Sequence, residues 1–152
     1  MKFGVCGDLT VAQAAARAGY DFAEWSVGAL LKPREPEEAF LAGIETVRAA
    51  GVKYPVVNCF VPADLKITGD TVDRQALRDY VACTMERAER AGVEVIVFGS
   101  GGARRIPDGF DGQRARAQIV EFCAMVGPIA QDHGVTVVVE PLGAEAVGDC
   151  VA

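Results

Sequence analysis

The chain has 152 residues, of which 51% are hydrophobic and 24% are charged, a balance typical of one soluble globular domain. Its formal net charge of −6 argues against a surface for nucleic acid or anionic membranes, because both need clustered positive charge. There is no hydrophobic run of the roughly 18 residues that a membrane span needs, no visible signal peptide and no CxxC pair among the scattered cysteines. We therefore expect a cytoplasmic protein with reduced thiols and with neither nucleic acid nor membrane as a partner.

The first half of the chain alternates hydrophobic segments with helical patterns. Residues 2–6 predict a strand, after which Asp8 or Thr10 can cap a helix that extends to residue 18. Residues 22–26 predict the second strand, and Pro36 can open a helix with one hydrophobic face. Residues 55–60 predict the third strand.

The second half repeats the alternation. A helix is predicted to begin near Asp73, and residues 93–99 predict the fourth strand. Another helix is predicted from about Gly112, with a kink at Pro128. Residues 135–139 are mostly valine and predict a last strand that is buried on both faces and ends at Glu140.

A glycine ends each of the four predicted helices, at Gly19, Gly51, Gly92 and Gly134, and a strand follows each one. This pattern predicts one continuous domain over residues 1–152. Its βα units have roughly 33 residues each, so that eight units would need about 265 residues. Two architectures therefore remain open. The chain is either a five-stranded doubly wound sheet or the first part of an eightfold barrel.

Three segments at strand ends carry a resemblance. The segments are residues 98–110, residues 139–142 with the sequence Val-Glu-Pro-Leu, and residues 20–24. They resemble the xylose isomerase-like TIM-barrel family of sugar and sugar-phosphate isomerases and epimerases. Endonuclease IV-type enzymes of AP endonuclease family 2 are related to this family. The resemblance implies an α/β fold, a partial (β/α)8 TIM barrel of about four βα units plus a fifth parallel strand. It also implies strand order 1-2-3-4-5 and a domain that is truncated at its C-terminus.

The same resemblance implies a mechanism. Family members transfer a proton next to a sugar carbonyl, assisted by a divalent metal (Mn, Mg, Co or Zn) that two Glu, an Asp and a His hold. Glu140 matches the first of these Glu positions, which makes it the expected catalytic residue and metal ligand. Strands six to eight, which would supply the other ligands, are absent, and Glu145 and Asp149 are poor substitutes. We expect weak metal binding and no activity from this chain.

Four other residues are expected to bind a small sugar or sugar-phosphate substrate: Glu24, Asn58, Ser100 and Arg104. Backbone N–H groups of residues 99–104 could contact a phosphate or a sugar oxygen, with an arginine pairing an anion. The alternative is a loop whose glycines serve only unusual turns. Trp25 could likewise line a sugar pocket or be a core residue. Cys6 has no histidine near it in the sequence, so we do not expect it to be a catalytic thiol.

Three functions remain open after the sequence is read. The first is a sugar isomerase or epimerase, and the second is a non-catalytic remnant of that family. The third, an endonuclease IV-like hydrolase, would need several histidines, whereas the chain has only His133, at the end of the last predicted helix. A partial barrel would also expose strand edges, so we expect self-association.

Overall fold

The structure is a computed structural model that describes residues 1–142. The expectations for Glu145 and Asp149 lie outside the described residues. The elements, in chain order, are β1 (Gly4–Cys6), α1 (Leu9–Arg17), β2 (Phe22–Ser26), α2 (Val27–Leu30), α3 (Glu37–Ala49), β3 (Val56–Asn58), α4 (Arg74–Ala91), β4 (Val95–Phe98), α5 (Gly101–Arg104), α6 (Gly112–Asp132) and β5 (Thr136–Val139).

The five strands form one parallel sheet in the order β1-β2-β3-β4-β5. This order confirms the partial TIM barrel, because in a doubly wound sheet the order of the strands reverses at a central strand. Successive right-handed βαβ crossovers place their helices on the same side of such a sheet. All five strand C-termini therefore meet at one edge.

The core lies between the helices and one face of the sheet. Alternate strand residues point to this face, and those that are fully buried pack with the long helices. The strand members of this core are Ala23, Val57, Ile96 and Phe98, and its helix members include Phe40, Leu77, Val81, Met85 and Phe122. We call this the helix-covered face and the opposite one the inner face.

Local sequence signals explain where the long helices begin and end. Asp8, one of the two predicted caps of the first helix, and Asp73 are N-caps whose carboxylates accept backbone N–H groups of the first turn. Gly92 ends α4 in the left-handed conformation, at φ 75°. α6 continues past Pro128 to Asp132. The short helices α2 and α5 were not predicted, because four residues are too few to show a helical period.

The prediction that the valine-rich last strand is buried on both faces is wrong for the described residues. Val138 is 41% exposed and Val139 is 56% exposed. The reason is position rather than composition, because β5 is the edge strand of the described sheet and pairs only with β4. Within residues 1–142, no helix is long and hydrophobic enough to cross a membrane.

Candidate functional site

Polar side chains collect where the strands end. Cys6 ends β1, Asn58 ends β3, Glu24 pairs with Cys6 in the register of β1 and β2, and Glu140 directly follows β5. Strand alternation places these residues on the inner face, opposite the core. We call Cys6, Glu24, Asn58, Cys59 and Glu140 the strand-end cluster.

Three members of the strand-end cluster are in direct contact. The Asn58 side-chain amide donates to Glu24 Oε1 at 2.7 Å and to Cys6 Sγ at 3.2 Å. Asn58 thus bridges β1, β2 and β3 at their ends. The bridge leaves Asn58 Oδ1 as an acceptor that could bind hydroxyl groups.

Cys59 occupies the turn after β3 with a left-handed backbone, φ 51°, which is unfavourable for a residue with a side chain. Cys59 is exposed as a whole, but partial burial of its thiol raises its pKa above the ordinary value. A negative charge on Cys6, Glu140 or Glu24 raises the pKa of Cys59 further, because it disfavours a thiolate beside it. The thiol of Cys59 is therefore a poor nucleophile at neutral pH.

Glu140 is held at the end of the sheet by its backbone. Its N–H donates to the Phe98 carbonyl at 3.2 Å, which continues the β4–β5 ladder, and its own carbonyl accepts from Arg104 Nη2 at 3.0 Å. The carboxylate lies against Gly99, where a Cβ atom would come within 2.4 Å of Glu140 Oε2. Glu140 itself is exposed on the inner side.

Ser100 belongs to the loops that surround the strand ends. Its φ is 45°, also left-handed, and its hydroxyl accepts the Val61 backbone N–H at 2.8 Å. The loops after β3 and β4 are joined again where the Ile67 N–H donates to Ala103 O, at 3.0 Å, and the Thr68 hydroxyl donates to Arg105 O, at 2.6 Å. Together these bonds fix one loop against the other.

The structure brings together only part of the predicted site. Glu24 and Asn58 are hydrogen-bonded, and Glu140 lies at the same edge of the sheet, where its N–H donates to Phe98 O. Ser100 uses its hydroxyl to join two loops, and Arg104 is 2% exposed, beneath the strand ends. The role of Gly99 was missed, although a glycine directly after a buried strand is a signal for close approach.

Two residues that the sequence left open have structural partners. The ring of Trp25 packs 5.5 Å from that of Tyr54, and Trp25 contacts the core. Because it neighbours Glu24 along the strand, it points to the opposite face and away from the strand-end cluster. His133 caps the end of α6, and its Nδ1 lies 2.7 Å from Glu89 Oε2.

The described residues do not fit a divalent metal ion. Among residues 1–142, no three His, Cys, Asp or Glu side chains are grouped so that they could hold a cation. One Glu24 oxygen is already an acceptor for Asn58, which leaves Glu140 as the principal candidate ligand. Mg²⁺ and Mn²⁺ need several oxygen ligands in fixed geometry, so this set is incomplete.

Comparisons with known proteins agree with this geometry. A family model described as "Xylose isomerase-like TIM barrel" matches residues 12–150. No curated protein matches the chain. Among solved structures, D-psicose 3-epimerase in the presence of D-fructose has a TM-score of 0.74 at 16% identity, over 94% of this chain and 53% of that one.

Two further structures show the same relation. D-psicose 3-epimerase from Clostridium cellulolyticum H10, solved with D-tagatose, has a TM-score of 0.74 at 16% identity, over 95% of this chain and 53% of its own. Mannonate dehydratase from Streptococcus suis serotype 2 has a TM-score of 0.65 at 16% identity, over 93% of this chain and 53% of its own. At this identity the likeness shows a shared fold, and the chain spans about half the length of these structures.

Proposed function

Because the chain belongs to the xylose isomerase-like TIM barrel family, we propose that its strand-end cluster forms part of a site for isomerising or epimerising a small sugar or sugar phosphate. The observation that carries the proposal is that the hydrogen-bonded pair Glu24–Asn58 and the exposed Glu140 all lie at the carboxyl-terminal edge of one parallel sheet. Barrel enzymes place their chemistry at this edge. The sugar epimerases among the structural neighbours support the same class of reaction.

In this proposal Glu140 transfers a proton at the carbon next to the sugar carbonyl. Its carboxylate is exposed on the inner side and belongs to a backbone fixed at both its N–H and its carbonyl. A positioned carboxylate is a suitable general base for this step. Asn58 and Glu24 bind sugar hydroxyl groups through their remaining polar atoms, and the hydrogen bond between them fixes both side chains for that contact.

A divalent cation, which the family resemblance implies, would stabilise the enediolate formed by proton removal. The described residues make an incomplete set of ligands, so we assign no step of the reaction to the cation. We expect the chain to bind Mn²⁺ or Mg²⁺ weakly and to show no measurable turnover by itself. The incomplete ligand set among the described residues also favours the second candidate function, a non-catalytic remnant of the family.

A measurement of sugar binding tests the proposed site. Saturation-transfer NMR with D-fructose should show binding, and Asn58→Ala should weaken it, whereas Gln75→Ala on the exposed start of α4 should not. Titration calorimetry with Mn²⁺ should show weak binding. Tight stoichiometric binding that disappears in Glu140→Gln would refute the expectation of weak metal affinity, and an absence of sugar binding would refute the proposed site.

We also propose that the chain associates with itself through the edges of its sheet. In the described residues β1 and β5 each pair on one side only, and hydrophobic side chains near these edges are exposed: Phe3 by 61%, Val138 by 41% and Val139 by 56%. Unpaired edges and exposed hydrophobic patches favour pairing between chains. Light scattering should show a dimer or larger species, and a monomer at all concentrations would contradict this.

A further inference from the structure

The geometry around Glu140 assigns a positioning role to two residues of the turn after β4. We propose that Gly99 provides the space for the Glu140 carboxylate and that Arg104 fixes the Glu140 backbone. The catalytic meaning of this arrangement rests on the proposed function, whereas the arrangement itself can be tested without any substrate. It also changes the expected role of Arg104, from a ligand for substrate to a support behind the strand end.

Gly99 is required for space rather than for backbone freedom. Its φ is not in the left-handed region, so an alanine could adopt this backbone. A Cβ atom there would nevertheless lie 2.4 Å from Glu140 Oε2 and 3.6 Å from Leu142 Cδ2, and the first separation is far below van der Waals contact. Any side chain at position 99 must therefore displace the carboxylate.

Arg104 acts from the other side, through the main chain. It is 2% exposed, and its guanidinium carbon lies 5.0 Å from the centre of the Phe98 ring. Phe98 in turn packs against Phe122 at 5.2 Å and Phe60 at 5.9 Å between ring centres. The Glu140 carbonyl therefore binds to a group that the rigid aromatic core holds in place.

The two residues act on different parts of Glu140. Phe98 O and Arg104 Nη2 hold its N–H and its carbonyl, and the missing side chain at Gly99 leaves room for its carboxylate. Proton transfer from carbon depends on the position of the base, and a displacement of about 1 Å can lower a rate by about a hundredfold. Its buried position also keeps Arg104 from pairing with an anion in the open mouth of the barrel.

The test uses NMR on the whole chain, with the Glu140 carboxyl resonance assigned by its loss in Glu140→Gln. Gly99→Ala should shift this resonance but change Glu140 amide exchange by less than about threefold. Its control is Gly28→Ala, because a Cβ at Gly28 meets no atom within 4 Å. Arg104→Met should speed exchange of the Glu140 amide by at least tenfold. The Thr136 amide, at the start of β5, donates to Glu94 O and should stay unchanged.

Arg105→Met is the control for Arg104, because Arg105 is the exposed neighbour. Arg104→Lys keeps one hydrogen-bond donor, so exchange of the Glu140 amide should be slower than in Arg104→Met. Arg104→Lys is the variant to measure if Arg104→Met does not fold. The proposal is overturned if Gly99→Ala and the Arg104 variants match their controls at Glu140. If they differ as expected while D-fructose binds to no form of the protein, the positioning role stands and the proposed function fails.

Discussion

The two faces of the sheet are made by the same strands but differ in almost every property. On the helix-covered face Ala23, Val57, Ile96 and Phe98 are at most 3% exposed. On the inner face Val56, Val95 and Val97 of the same strands are only half-buried, and the Asn58–Glu24 hydrogen bond lies at the strand ends. Neighbouring residues of one strand therefore serve different purposes, one face holding the fold together and the other offering groups for chemistry. Composition alone cannot show which valine packs in the core and which one lies on the inner face.

The largest effect should come from the centre of the helix-covered face. Phe98→Ala removes the ring that contacts Phe60 and Phe122 and supports Arg104, so we expect a loss of about 4 kcal/mol in the free energy of unfolding. Val97→Ala, one residue away on the half-exposed inner face, should cost about 1 kcal/mol. Denaturant unfolding measures both, and equal losses would contradict the distinction between the faces.

Arg87 tests how much the hydrogen bonds of a buried charged side chain contribute to the stability of the helix-covered side. It is 5% exposed, and its guanidinium donates to the carbonyls of Leu31, Lys32 and Glu35 in the loop between α2 and α3. Arg87→Met would leave these carbonyls without that donor, so we expect a loss of about 3 kcal/mol. The exposed Arg78 on the same helix is the control, since Arg78→Met should change stability by less than about 0.5 kcal/mol. A small loss for Arg87→Met would show that water replaces the guanidinium.

The elements that could be predicted from the sequence are those with many residues in one pattern. The helix predicted to begin near Asp73 is α4 (Arg74–Ala91), because a hydrophobic period over 18 residues is hard to misread. The strand order was predicted from the family resemblance of the strand-end segments and is confirmed. The exposure of β5 could not be predicted, because burial depends on what lies beside a strand and not on its own residues.

The candidate site was harder to predict than the fold for a related reason. Glu24, Asn58 and Glu140 could be named because each lies at a predicted strand end. Their partners could not, because the Asn58–Glu24 bond joins residues 34 positions apart and the Arg104–Glu140 bond joins residues 36 apart. Such contacts depend on side-chain direction and register, which a single sequence does not specify.

High pH should weaken the helix-covered face through Tyr80. Burial raises the pKa of Tyr80 to about 12, and its hydroxyl donates to Phe60 O at 2.8 Å. The unfolded chain loses this proton near pH 10, whereas the folded protein keeps it until about pH 12, so stability is full below pH 10 and falls as the pH rises through this range. We expect a loss of about 2 kcal/mol from this residue.

Unfolding measured between pH 9 and pH 12 provides the check. Tyr80→Phe should be less stable at pH 8 by about 1 kcal/mol, because the hydrogen bond is lost, but should lose less stability between pH 10 and pH 12 than the parent protein. Tyr20→Phe, which removes the hydroxyl of a tyrosine that is 47% exposed, is the control. An identical pH profile in Tyr80→Phe would show that Tyr80 does not contribute to alkaline unfolding.

The smallest effect should come from the strand-end cluster, and it should be a gain. Cys59 holds a left-handed backbone at φ 51° although it carries a side chain, and this conformation costs about 1 kcal/mol. Cys59→Gly relieves that strain but gives the unfolded chain more freedom, so we expect a net stabilisation of about 0.5 kcal/mol. Cys59→Ser keeps the Cβ atom and should give no gain, which separates backbone strain from the chemistry of the thiol. If Cys59→Gly lowers the midpoint of denaturant unfolding instead, the side chain of Cys59 contributes more through its contacts than its backbone costs, and the strand ends resemble the helix-covered face more than their exposure suggests.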